Sequence, residues 1–144
     1  MNALVQQARS YLGTPFRHRG RTARGLDCAG LGWRVYADLG VELPDIERYG
    51  REPWNNGLMQ GLEAALGAPA WAGRGPAREL LQVGDVVVIA WVREPHHVAL
   101  VGDDQIHGLS LIHADGTLGV KRVVEHGLDD RYLSLIVAIF RRPV

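Results

Sequence analysis

Five short, β-branched segments crowd into residues 85–140 and constrain the fold more than any other feature. They are DVVVIAWV (85–92), HVALV (97–101), LSLIHA (109–114), GVKRVV (119–124) and SLIVAIF (134–140). Turn residues separate them at spacings too short for the helical crossovers that parallel strands need, so they predict an antiparallel sheet. The first half reads as helices. Leu4, Val5, Ala8, Tyr11 and Leu12 recur at helical spacing over residues 3–12, and Gly13 with Thr14-Pro15 ends the run. A second helix is predicted from Cys28 to about Leu39 with Gly40 just past its end, and a short third one over 58–66. The arginine-rich segment 14–26 reads as an exposed loop, 41–56 as irregular, and Gly67–Pro76 as a surface connection. Helices first and strands after is an α+β arrangement, expected as a single domain over residues 1–144.

Sixteen basic residues balance sixteen acidic ones, so no whole-molecule field favours nucleic acid or an anionic membrane. No stretch approaches the ~20 apolar residues of a transmembrane helix. The N-terminus lacks a basic segment followed by a long apolar run, so the expectation is a chain made in the cytoplasm without a signal peptide.

The only cysteine, Cys28, follows Asp27 at the predicted start of the second helix. Asp27 can cap that helix through its side chain. The positive helix end then favours the thiolate of Cys28, the nucleophilic form. Gly30 and Gly32 each cost on the order of 1 kcal/mol of helix propensity, which predicts a close approach of another element to this turn. The competing reading is a small buried structural thiol, so the question is whether a base stands nearby.

Two histidines answer it. His97 opens one strand and His113 closes the next. With residues 103–107 as the loop, they lie opposite each other on one sheet face, their Cβ atoms ~5 Å apart. His97 would take the thiol proton and His113 would orient its imidazole. His107 and Asp115 are reserves for the third position. His96 should point to the other face, and His18 and His126 read as surface residues. A zinc site would suit the ligand types, but there is no second cysteine and no paired metal-ligand motif, so no metal is expected.

YLGTPFRHRGRTARGLDCAGLGWRVYADLGVELP resembles the N-terminal half of the NlpC family of bacterial cell-wall endopeptidases, where a GTPY…G…DCSG segment presents the nucleophile. LLQVGDVVVIAWVREPHHVALVG resembles that family's GDLV…HVGIY block, and LIHADGTLGV its IHA block. The likeness spans residues 8–124 and leaves 49–76 unassigned. The FRHRGR…GLDC form and the FRRP ending look most like a branch associated with bacteriophage tails.

This resemblance implies a papain-like fold, N-terminal helices packed on a C-terminal antiparallel sheet, and no cofactor. The implied activity is hydrolysis of peptidoglycan stem peptides at a γ-D-glutamyl–diaminopimelate type bond. By position, it makes Cys28 the nucleophile, His97 the general base and His113 the third polar residue. Asp27 would also meet a substrate amine, and the Cys28 N–H would contribute to an oxyanion hole. Two positions depart from the family: Phe16 replaces a tyrosine and Ala29 a serine. Both are expected at the substrate site, with Arg21 available to meet a substrate carboxylate. Arg17 and Arg19 could act likewise or be solvated charges. The implied setting is a virion tail acting at the cell wall, with tail-tip proteins as candidate partners. Two alternatives stay open: a structural tail-tip subunit with little or no catalysis, and a papain-like amidase or acyltransferase.

Overall fold

The computed structural model describes residues 2–45, 57–91, 97–106 and 108–144. Helix α1 (Ala3–Arg9) starts where the Asn2 side chain accepts the Val5 N–H at 3.1 Å, and it turns Leu4, Val5 and Ala8 inward. It stops before the predicted Leu12, which is exposed. The chain is drawn off instead: Gly13, at φ +87°, donates its N–H to Val123, and Val123 donates back to Thr14.

The segment expected as an exposed loop is partly built. Strand β1 (Arg21–Thr22) pairs antiparallel with β2 (Gly25–Leu26), and Leu26 is fully buried. Backbone bonds from Leu26 to Pro15 and from Arg17 to Leu26 hold this small hairpin in place. With one buried apolar residue it gives no periodic signal.

Helix α2 (Cys28–Asp38) begins and ends as the sequence predicts. Asp27 is its N-cap, accepting the Gly30 N–H at 2.7 Å, and Gly40 follows the C-cap Leu39 at φ +83°. Helix α3 spans Leu58–Leu66, also as predicted, and buries Leu58, Leu62, Ala65 and Leu66.

The remaining elements are β3 (Trp71–Ala72), a 3₁₀ turn at Arg78–Leu80, β4 (Val86–Ile89), β5 (His97–Asp104), β6 (Gly108–Asp115), β7 (Arg122–Gly127), α4 (Asp130–Leu135) and β8 (Ile136–Phe140). They form a six-stranded antiparallel sheet in the order β3-β8-β4-β5-β6-β7. Strand β3 falls in the stretch predicted as a surface connection, and α4 takes the first two residues, Ser134 and Leu135, of the predicted strand 134–140.

Both faces of the sheet are covered, which is why β4 is an unbroken apolar run rather than an alternating one. On one face, Val86, Val88, Val98, Leu100 and Ile112 meet α1, α2 and α3. On the other, Val87, Ile89, Ala99, Val101, Leu111 and Ile136 are buried with Leu81 and Leu128, and Trp71, Tyr132 and Leu133 pack over them.

The two α2 glycines differ. A Cβ on Gly30 would stand 2.0 Å from the Gly20 carbonyl oxygen, whereas one on Gly32 would meet nothing within 4 Å. The predicted close approach holds for Gly30 only. Gly32 opens onto an apolar recess lined by Ala29, Trp33, Leu43, Leu62 and Val98. Gly30→Ala should therefore lower stability by about 1–3 kcal/mol, the range for overpacking. Gly32→Ala should be neutral or stabilising by up to ~1 kcal/mol through helix propensity. Urea midpoints of the two variants check both signs.

Candidate active site

The site is built around a buried carboxylate. Asp27 Oδ1 accepts the Gly30 N–H and the Arg21 guanidinium (2.9 Å), and Oδ2 accepts the Arg19 N–H (2.8 Å). Arg21 also pairs with Asp45 at 3.0 Å. Its charge is thus committed to two carboxylates of this chain, and Asp27 already holds three donors. Arg19 adopts φ +62° to offer its N–H.

Cys28, the first residue of α2, is buried among the helix-face core residues. Backbone N–H groups of Val98 and Ala29 face its sulfur. Val98 is the neighbour of His97 at the start of β5, so the nucleophile candidate meets the strand one residue from the base candidate. The sequence predicts a favoured thiolate, and the surroundings oppose it. Burial, then the Asp27 charge, push the thiol up to about 12, while the two N–H groups and Arg21 pull the other way. An isolated Cys28 therefore rests as the neutral thiol.

His97 and His113 do come together, with His97 Nε2 2.8 Å from His113 Nδ1. The register that joins them is not the predicted one. Asp104 pairs with Gly108 and Leu100 with Ile112, a turn tighter than the expected 103–107 loop. Extended along the strands, that register sets Ala99 level with His113 and His97 level with Asp115. The two histidines are diagonal neighbours rather than opposite ones. A slip of two residues keeps every side chain on its face, so the contact survives the error.

His126 belongs to this row, although the sequence reads it as a surface residue. It lies on β7, across from Leu111, and its Nε2 is 2.7 Å from His113 Nε2. Its Nδ1 is 2.9 Å from the Gly127 carbonyl oxygen. Strand β7 runs past the predicted end at Val124 to Gly127, which brings His126 onto the sheet. The polar letters of VEHG hid that extension. Parity was the available signal, since His126 shares a face with the residue level with His113.

Aromatic rings pack over the row. Trp91 stacks on His97 with centroids 6.1 Å apart, and Tyr132 of α4 lies 4.8 Å from His126 and 5.5 Å from Trp91. Phe16 packs at Gly116, just beyond the His113 end of β6, and Ala29 lines the recess beside α2. Arg17 is exposed. Asp115 accepts the Thr117 N–H at 2.8 Å. His96 and His107 lie outside the described residues. Among the described residues no group of three or more His, Cys, Asp or Glu side chains is arranged to hold a metal ion.

His113 is 1% exposed, and burial followed by the nearby His126 pushes its pKa down to about 4. An unfolded histidine titrates near 6.5, so between about 6.5 and 4 the unfolded chain takes up a proton that native His113 refuses. Stability should be unaffected by this group above pH 6.5 and fall as pH drops, by about 3 kcal/mol in all at ~1.4 kcal/mol per unit. His113→Asn should flatten the slope of unfolding free energy against pH across that window, as read by urea melts at pH 7.5, 6 and 5.

The NlpC/P60 family model matches residues 13–137. No curated protein matches the chain. Solved structures do. An NlpC/P60 family protein from Bacillus cereus ATCC 10987 is 22% identical with a TM-score of 0.62, over 96% of this chain and 39% of that one. The NlpC/p60 domain of the peptidoglycan hydrolase SagA is 21% identical with a TM-score of 0.59, over 97% of each chain. NlpC1 from Trichomonas vaginalis is 15% identical with a TM-score of 0.63, over 96% of this chain and 42% of that one. The chain thus spans less than half of the Bacillus and Trichomonas proteins. At these identities the likeness is one of fold, and the fold is papain-like, with helices on an antiparallel sheet as the sequence predicts. With the family match running from Gly13 to Val137, across α2 and all of the main sheet but the end of β8, the chain belongs to the NlpC/P60 family.

Proposed function

We propose that this chain is a cysteine peptidase domain over residues 1–144 that cleaves peptidoglycan stem peptides. One observation carries the chemistry: the Cys28 sulfur lies at a helix start against β5, one residue from His97, whose ring is bonded to buried His113. Family membership supports the substrate class, and one relative by fold is named as a peptidoglycan hydrolase.

In this reading His97 takes the Cys28 proton as the sulfur attacks the scissile carbonyl carbon. The oxyanion formed is met by the Cys28 N–H at the helix start. Collapse breaks the C–N bond, His97 hands its proton to the departing amine, and the acyl group stays as a thioester. Water, deprotonated by His97, then releases the acid and restores the thiol. Because burial holds the lone thiol near 12, ionisation requires the transfer to His97. His113, held neutral by burial, fixes the orientation of that ring.

The sequence resemblance supports the γ-D-glutamyl–diaminopimelate type bond as the target and delivery on a phage tail as the setting. The neutral, buried thiol favours a second reading, a tail-tip subunit that keeps the fold with little catalysis. Digestion of purified diaminopimelate-type sacculi, with products read by mass spectrometry, separates the two. The peptidase should release fragments with a new diaminopimelate amino group. Cys28→Ala should abolish release, and His97→Ala should lower the rate about 100–10,000-fold, as loss of a general base does. Alkylation of Cys28 by iodoacetamide at pH 7 should slow in His97→Ala. No release by the parent protein, with alkylation indifferent to His97, would leave the structural reading.

A further inference from the structure

We propose that His126 is a positioning residue that sets which nitrogen carries the proton in every ring of the histidine row, keeping His97 able to accept one. The inference rests on the peptidase reading of Cys28 and His97 above.

The argument follows from what each contact can be. A carbonyl oxygen only accepts, so His126 Nδ1, 2.9 Å from the Gly127 oxygen, must carry the proton. A neutral imidazole has one N–H, which leaves His126 Nε2 as a bare acceptor. Its partner at 2.7 Å is His113 Nε2, so that nitrogen must be the donor. His113 is neutral, because burial keeps its pKa well below the ordinary range, so its Nδ1 is bare. His97 Nε2, 2.8 Å from that Nδ1, must then donate, and His97 Nδ1 is left unprotonated.

One backbone carbonyl thus fixes three tautomers in sequence, and the last is the form a general base requires. Reversing the chain would put a proton on His97 Nδ1 and remove the acceptor. The geometry resists reversal. Successive rings stand at 87° and 90° to one another, and Tyr132 packs on His126 while Trp91 packs on His97. His126 itself is half-buried, beside a groove walled by Arg78 and Asp129. Arg78 is turned to the Leu128 carbonyl and Asp130 there, leaving the Gly127 carbonyl to anchor the chain.

Long-range ¹H–¹⁵N correlation spectra of the labelled protein at pH 8.5, above the ordinary histidine range, report the protonated nitrogen of each ring. The expected parent spectrum has His97 and His113 protonated at Nε2 and His126 at Nδ1. His126→Phe removes the acceptor at the end of the row, so His113 and His97 should become mixtures of tautomers. Sacculus hydrolysis should fall about 10–100-fold in kcat, as loss of an orienting partner typically does, with KM changed less than twofold. His126→Gln, whose side-chain carbonyl can accept from His113, should restore the parent tautomers and most of kcat.

A parent spectrum with His113 protonated at Nδ1 would overturn the assignment. So would identical His97 tautomers and rates in the Phe and Gln variants. If the Phe variant does not fold, the parent spectrum and the Gln variant still decide. If the parent shows no Cys28-dependent hydrolysis, the peptidase reading fails on its own terms, and the spectra still confirm or refute the row.

Discussion

Removing an ionised carboxylate from water costs several kcal/mol unless its oxygens are met by donors, and the segment before α2 is folded around that demand at Asp27. Arg19 turns to a left-handed conformation to supply one N–H, the first turn of α2 supplies another through Gly30, and Arg21 supplies charge. The hairpin of β1 and β2 brings Arg21 to the carboxylate, and Gly20 passes so close to α2 that only a glycine fits at position 30. Arg21 reaches on to Asp45. The position of Cys28 therefore follows from the solvation of its neighbour. The helix start is held where it is because a buried charge is satisfied there.

The features legible in the sequence are those carried by local rules. A cap at Asp27, a terminating Gly40 and a compact apolar stripe over Leu58–Leu66 each act within a few residues, and these elements appear where expected. What the letters hid depends on distant partners. Strand β3 is two residues long and exists only because β8 offers an edge to Trp71 and Ala72. The β1–β2 hairpin exists because Leu26 and Pro15 bond across the loop. Arg21 reads as a free cation because Asp27 and Asp45 are brought to it only by folding. His126 reads as a surface residue because a strand of charged and polar letters gives no alternation to follow. The hairpin register differs from the predicted one by two residues, yet His97 still meets His113, since face depends on parity rather than on exact register.

The electrostatics of the site run opposite to an ion pair at rest. Burial raises the thiol of Cys28 and lowers the imidazole of His113, so both are favoured as neutral groups in the free protein. In the proposed chemistry, charge appears only when a proton moves from sulfur to His97, next to backbone N–H groups already in place. Cys28 and His113 are thus neutral beside the Asp27–Arg21 ion pair, and the backbone N–H groups at the sulfur are fixed dipoles that need no reorganisation when the proton moves.

The two faces of the sheet give that arrangement a further property. Cys28 is packed with the residues on the helix face, whereas His97 shares the opposite face with Ile89 and Ala99, and the row continues there to His113 and His126. Nucleophile and base candidates are thus anchored in separate cores on the two faces of the sheet, next to each other at the start of β5. A chain with one core formed would carry every residue of the site and still lack the pair. Catalysis would then appear as the last step of folding, after both cores have closed, whereas a nascent or partly unfolded copy would carry an exposed thiol without its base, open to alkylation but unable to cleave a peptide.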